Sequence, residues 1–181
     1  RTDHRGDPVP GSGMSFTPDP DGLERLWTPY RMAYVQGEQP EPGCPFCRIA
    51  DPSTDDELLV ARGEYVYAVL NRFPYNPGHL MVIPYRHEAD IVSLSDAESD
   101  ELMSMTRKAV AVIRSVSAPD AFNVGLNLGS VAGGSLSGHL HQHVVPRWEG
   151  DANFMTVTAG VKVLPQILAD TRDLLAAAWL A

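Results

Sequence analysis

The stretch Gly138-His139-Leu140-His141-Gln142-His143-Val144-Val145-Pro146 decides how this chain is read. Its three histidines occupy alternate positions. In a β-strand, residues i, i+2 and i+4 share one face. A strand here therefore lines up three imidazoles on one side and turns Leu140 and Val144 into a core. On a helix the same residues would fan out around the axis, and no common site would form. Imidazoles titrate near neutral pH, so three on one ledge supply a base, a nucleophile and a proton donor. A purification tag would be contiguous and terminal. This run is internal, alternating and closed by Pro146.

Working outward, Gly129-Ser130-Val131-Ala132-Gly133-Gly134-Ser135 leads into the triad. Glycines there allow close backbone approach, and successive N–H groups can cradle an anion. An ordinary hairpin loop would have a similar composition; the position directly before the triad favours the anion site. Before it, Phe122, Val124, Leu126 and Leu128 alternate with Asn123, Gly125 and Asn127, which predicts a strand. Ser95-Asp96-Ala97-Glu98 is a capping box opening a long helix, with Leu102, Met105, Ala109, Val112, Ile113 and Val116 on one face and a stop at Pro119. Arg107, Lys108 and Arg114 lie off that face.

Two further strands are expected at Glu64–Leu70 and His79–Pro84, joined by the turn cluster Phe73-Pro74-Tyr75-Asn76-Pro77-Gly78. A last helix is expected from near Pro165, packing Leu168, Leu174, Leu175 and Trp179. Strands in meander order around one long helix read as an α+β domain with an antiparallel sheet. Residues 1–22 are rich in Pro, Gly, Asp and Ser and read as a disordered arm, leaving 23–181 as a single domain. From Leu23 a short helix or a packed extended arm is expected, followed by a polar loop from Gly37 to Gly43.

Composition narrows the function classes. The chain has 181 residues, enough for one domain with a real core. Its net charge of −9 argues against a nucleic-acid backbone as partner, because such binders concentrate Lys and Arg. No apolar run approaches the roughly 20 residues of a membrane helix, and no signal-peptide core is present, so a cytoplasmic protein is expected. The two cysteines stand as Cys44-Pro45-Phe46-Cys47. That spacing is half of a zinc site; a redox pair is the rival, although no thioredoxin-like βαβ pattern surrounds it.

The motif His139-x-His141-x-His143-Val144-Val145 resembles the signature of the histidine triad (HIT) family of nucleotide hydrolases and transferases, His-φ-His-φ-His-φ-φ with φ apolar. Gln142 departs from it, which suggests a position that is not deeply buried. The likeness runs from about Leu26 to about Trp179. It is nearest to the branch of diadenosine tetraphosphate phosphorylases and hydrolases found in actinobacteria, on Leu26–Arg31, Asn127-Leu128-Gly129, His143–Trp148 and Gly150–Phe154.

The resemblance implies a HIT-like fold, with an antiparallel sheet, one long central helix and a C-terminal helix, that pairs into a homodimer. It implies that His141 attacks the α-phosphorus of a nucleotide anhydride, its Nε2 freed by a backbone carbonyl that accepts from Nδ1–H. His143 would bond phosphate oxygens, supported by His79. Asn71 would hold the ribose, and Asn127, Gly134 and Ser135 the phosphates. Ser135 stands where many members carry glutamine. The acceptor would be inorganic phosphate or water, with no catalytic metal. The likeness also completes the metal set as Cys44, Cys47, His87 and His139, a structural zinc. Alternatives are a nucleoside phosphoramidase or mononucleotide hydrolase, and a non-catalytic nucleotide-binding module, which the presence of His141 disfavours. Hexose-1-phosphate uridylyltransferases share the zinc pattern but end the motif in glutamine, unlike His143.

Overall fold

The computed structural model of the chain describes residues 43–54, 56–133, 136–151 and 167–180, all within the unit Gly37–Ala181. The expected arm at 1–22, the helix or arm from Leu23, the loop from Gly37 as far as residue 42, the turn residues Gly134 and Ser135, and the segment around Pro165 lie outside the described residues.

Five strands form one antiparallel sheet: β1 (Leu59–Arg62), β2 (Val66–Leu70), β3 (Leu80–Pro84), β4 (Ala121–Leu126) and β5 (Gln142–Arg147), in the order β1-β2-β3-β5-β4. The helices are α1 (Pro45–Ala50), α2 (Asp96–Ser117) and α3 (Leu168–Leu180). The order corrects the simple meander expected from sequence. The chain leaves β3, crosses by α2, runs down the edge as β4, and returns as β5 between β3 and β4. The triad segment thereby comes to lie inside the sheet, flanked on both sides. β1 was not foreseen: its four residues are too short to show a period.

β2 and β3 are buried at every position, so their Val, Leu, Ile and Met side chains serve both faces of the sheet. α2 covers β2, β3 and β5 on one face, and α3 packs against α2 and β1. The capping box forms as expected: the Ser95 hydroxyl accepts from Glu98 N–H, and the Glu98 carboxylate accepts from Ser95 N–H. Leu102, Met105, Ala109, Val112 and Ile113 are buried, while Val116 is partly so. The helix stops at Ala118, in the left-handed region at φ 43°, ahead of Pro119. In α3 Leu175 and Trp179 pack as expected, but Leu174 is 41% exposed. The inward stripe of that helix runs through Thr171, Leu175 and Trp179, a spacing of four that turns Leu174 outward.

One contact docks the long helix on the sheet. The Glu101 carboxylate accepts from the backbone N–H groups of Glu64 and Val66 at 2.9 and 3.0 Å, and from that of Tyr65 between them. These are the donors of the β1–β2 turn, so a carboxylate from another element caps it. Gly63 belongs to the same contact: a Cβ there would stand 2.5 Å from Glu101 Oε1.

Candidate active site

The triad does not form one regular strand. β5 begins at Gln142, so only His143 has ladder geometry, paired across to Met81 and Gly125. His139 and His141 stand on the irregular run leading into it. Leu140 and Val144 are buried, as alternation required. Gln142 is the exception to the expectation of shallow burial: it is 5% exposed, and its Nε2 donates to Thr106 Oγ1 on α2 at 2.6 Å. Thr106 in turn donates to Leu102 O. A polar side chain sits at an apolar position because α2 offers it a partner. Gln142 thus points towards α2, and side-chain alternation sends His143 to the opposite face.

Hydrogen bonds fix the tautomer of each imidazole. His141 Nδ1 lies 2.8 Å from its neighbour's carbonyl, His139 O, which can only accept. The proton is therefore on Nδ1, and Nε2 keeps a free lone pair. His79 Nδ1 lies 3.0 Å from the Tyr75 N–H, which can only donate, so His79 carries its proton on Nε2. That Nε2 is 2.9 Å from His143 Nδ1, so His143 accepts there and carries its own proton on Nε2. Neighbouring triad members are held in opposite tautomers: His141 offers a lone pair and His143 offers a donor. Their rings stand 4.9 Å apart at 78°.

The third histidine belongs to another centre. His139 is almost wholly buried, and its Nε2 donates to Pro84 O at 2.9 Å, leaving Nδ1 as the free ligand atom. Cys44 Sγ lies 3.4 Å and Cys47 Sγ 3.6 Å from that nitrogen, and Cys47 Sγ lies 3.1 Å from His87 Nδ1. The four ligand atoms are all within 4.8 Å of one another. Around zinc, with metal–ligand bonds of about 2.0–2.3 Å, tetrahedral ligands sit roughly 3.5 Å apart, so the group is sized for that ion. Burial holds His139 below the ordinary imidazole pKa, keeping it neutral as a ligand must be. Burial, and then the adjacent Cys44 thiol, push the Cys47 thiol up. A shared cation would favour the thiolate form that zinc ligation requires. The ligands expected from Cys-x-x-Cys, His87 and the first triad histidine are thus brought together.

The β2–β3 turn closes the other side of the site. Asn71 Oδ1 accepts from Phe73 N–H at 3.0 Å, which leaves its Nδ2 facing His79 Nδ1 at 3.5 Å. Asn71 therefore shapes the turn and adjoins His79. Extending the β4–β5 register past Leu126 and Gln142 brings half-buried Asn127 level with His141. Two groups carried no signal in the sequence beyond turn propensity. Tyr75 stacks on His79 at 4.7 Å. Buried Asn76 donates to Pro146 O and to Asp151, whose carboxylate also takes a two-pronged bond from Arg147. The Arg147 bond, foremost, holds Asp151 well below the usual carboxylate range. This lock ties the turn carrying His79 to the segment leaving the triad.

Geometry and sequence comparison agree on the class. The HIT domain family model matches residues 53–150, and the chain belongs to that family. It is 58% identical over 168 residues to an AP-4-A phosphorylase of Mycobacterium tuberculosis, covering 88% of this chain and 86% of that protein. Among solved structures it is similar to a zinc-bound histidine triad family protein from Mycobacterium smegmatis, with a TM-score of 0.62, 24% identity, and 76% and 93% of the two chains covered. A histidine triad nucleotide-binding protein from Sulfolobus tokodaii superposes with a TM-score of 0.63 at 23% identity, over 76% of this chain and 92% of that one. Among the described residues no helix is long and apolar enough to cross a membrane.

Proposed function

We propose that this enzyme cleaves diadenosine tetraphosphate by nucleotidyl transfer through His141, with inorganic phosphate as the favoured acceptor. The observation that carries the reading is the opposed tautomers of His141 and His143. The 58% identity to an AP-4-A phosphorylase supports the substrate and the acceptor.

In the first step the Nε2 lone pair of His141 forms a P–N bond to the α-phosphorus while the anhydride P–O bond breaks and ATP leaves. Positive charge develops on the imidazole as that bond forms. The Nδ1–H bond to His139 O strengthens with it, so the carbonyl stabilises the transition state more than the ground state. His143 Nε2–H meets the phosphate oxygens. In the second step an oxygen of orthophosphate attacks the same phosphorus, the P–N bond breaks, ADP forms, and His141 recovers its lone pair. Asn71 would hold the ribose, and Asn127, Gly134 and Ser135 the phosphates. Each step uses imidazole, amide and hydroxyl groups, so the reading calls on no catalytic metal.

The Cys44, Cys47, His87 and His139 group would hold zinc in a structural role. Four such ligands would fill the coordination shell that structural zinc takes, with no position kept for water or substrate. The site would tie α1 to the end of β3 and to the triad. Free cysteine ligands and a nucleotide substrate go with a cytoplasmic setting. Pairing into a homodimer is part of the proposal: β4 is a sheet edge, with Val124 47% and Leu128 46% exposed beside it. The test of function is product analysis. Diadenosine tetraphosphate should yield ADP plus ATP in millimolar phosphate and AMP plus ATP without it. AMP as the main product at saturating phosphate would make the enzyme a hydrolase.

A further inference from the structure

The metal-ligand group and the proposed nucleophile share one side chain that belongs to neither. Phe46 stands between the two cysteines, in the first turn of α1, and is buried. Its ring meets His139 edge-on at 5.6 Å and 87°, and lies against His141 at 5.1 Å and 51°. Its carbonyl accepts from the hydroxyl of Tyr67, a fully buried residue of β2, at 2.8 Å. Burial pushes that hydroxyl's pKa up, so it remains a donor. Phe46 is thus held by ligands on both sides and by the sheet beneath.

His141 needs such a support. Its hydrogen bond to His139 O sets the tautomer but acts at a single atom, leaving the ring free to tilt about that contact. The tilt decides where the Nε2 lone pair points, and in-line attack on phosphorus demands that direction. Two rings fix it: His143 at 4.9 Å and Phe46 at 5.1 Å. His143 is itself held by His79, and Phe46 is the ring that joins His141 to the cysteine pair.

We propose that Phe46 is a positioning residue that transmits the order of the Cys44/Cys47/His87/His139 centre to the His141 ring, so that ligation sets the aim of the nucleophile as well as anchoring the chain. The inference rests on His141 being the nucleophile and adds how it is aimed. A misaligned lone pair slows chemistry without weakening nucleotide binding. A ring at position 46 is what matters, rather than apolar volume alone.

The test compares Phe46→Leu with Phe46→Tyr, both saturated with zinc and checked for metal content, beside His141→Ala. Phe46→Leu should keep one zinc per chain and a KM within twofold, while its kcat falls by about tenfold or more, the scale of a modest misplacement of reacting groups. Phe46→Tyr should recover most of the loss. The nitrogen NMR signals of the His141 ring should broaden or split in Phe46→Leu, and removing the metal from the wild-type protein should move them the same way. Wild-type kcat in zinc-loaded Phe46→Leu, with His141→Ala inactive, overturns the positioning role alone. So does a loss in Phe46→Leu that zinc saturation fully restores, because Phe46 would then serve only to retain the metal. An active His141→Ala protein refutes the nucleophile assignment and this proposal with it.

Discussion

Replacing His79 by phenylalanine removes its hydrogen bonds to Tyr75 and His143, among others, and tests the tautomer assignment. The ring is fully buried, takes the Tyr75 N–H on Nδ1 and donates from Nε2 to His143 Nδ1 at 2.9 Å. Phenylalanine keeps the volume and the stacking on Tyr75 but supplies neither donor nor acceptor. The bond to His143 is between neutral groups, and such a bond has a net worth of about 0.5–1.5 kcal/mol. That is the bias it places on the His143 tautomer. At 1.4 kcal/mol per tenfold, its loss should lower the single-turnover rate of nucleotidyl transfer roughly two- to twelvefold. Loss of the bond to the Tyr75 N–H should cost a further ~0.5–1.5 kcal/mol of folding stability. AMP affinity, read by titration calorimetry, should change less than the rate. Glutamine at the same position can both donate and accept, so His79→Gln should recover part of the rate. An unchanged single-turnover rate in folded His79→Phe would refute the reasoning.

Other outcomes follow from the same structure. His141→Ala should abolish turnover while keeping nucleotide affinity within about tenfold, or 1.4 kcal/mol, by calorimetry. Purified protein should contain close to one zinc per chain by metal analysis, and Cys47→Ser should lose it together with several degrees of thermal stability. The Arg86 guanidinium, followed by Ser95 N–H, holds the Glu98 carboxyl down at about 2, against an ordinary 4.5. A carboxyl depressed in the folded state adds stability above its unfolded pKa and loses it as pH falls through the folded value. Denaturation midpoints should therefore drop between about pH 4.5 and about pH 2, and Glu98→Gln should flatten that limb. Light scattering at micromolar concentration should give twice the 19.7 kDa chain mass; a purely monomeric species would contradict the dimer.

What could be read from sequence followed the strength of local signals. The capping box at Ser95, the helical stripe through Ile113 and the stop at Pro119 are local chemistry, and all of them appear. The Cys-x-x-Cys pair announced a metal group, and the histidines that complete it came only from family resemblance. Sheet order was misread because β5 inserts between β3 and β4, a choice made by pairing distant in sequence. Gln142 was misjudged for a related reason. Its burial depends on Thr106, 36 residues away on α2, which no local pattern reveals. The tautomers of His79, His141 and His143 were equally out of reach, apart from the carbonyl expected at His141 Nδ1, since they follow from backbone groups delivered by turns.

The central claim is that His141 Nε2 is the atom that receives the nucleotide. Quenching the enzyme with diadenosine tetraphosphate in phosphate-free buffer at neutral to mildly alkaline pH, followed by peptide mass mapping, tests it directly. The adenylyl mass should appear on the peptide containing Gly138–Pro146, be assigned by fragmentation to His141, be absent from His141→Ala, and disappear with formation of ADP when phosphate is added before quenching. Adenylyl on His143 or on any other residue, or an adduct in His141→Ala, would contradict the account.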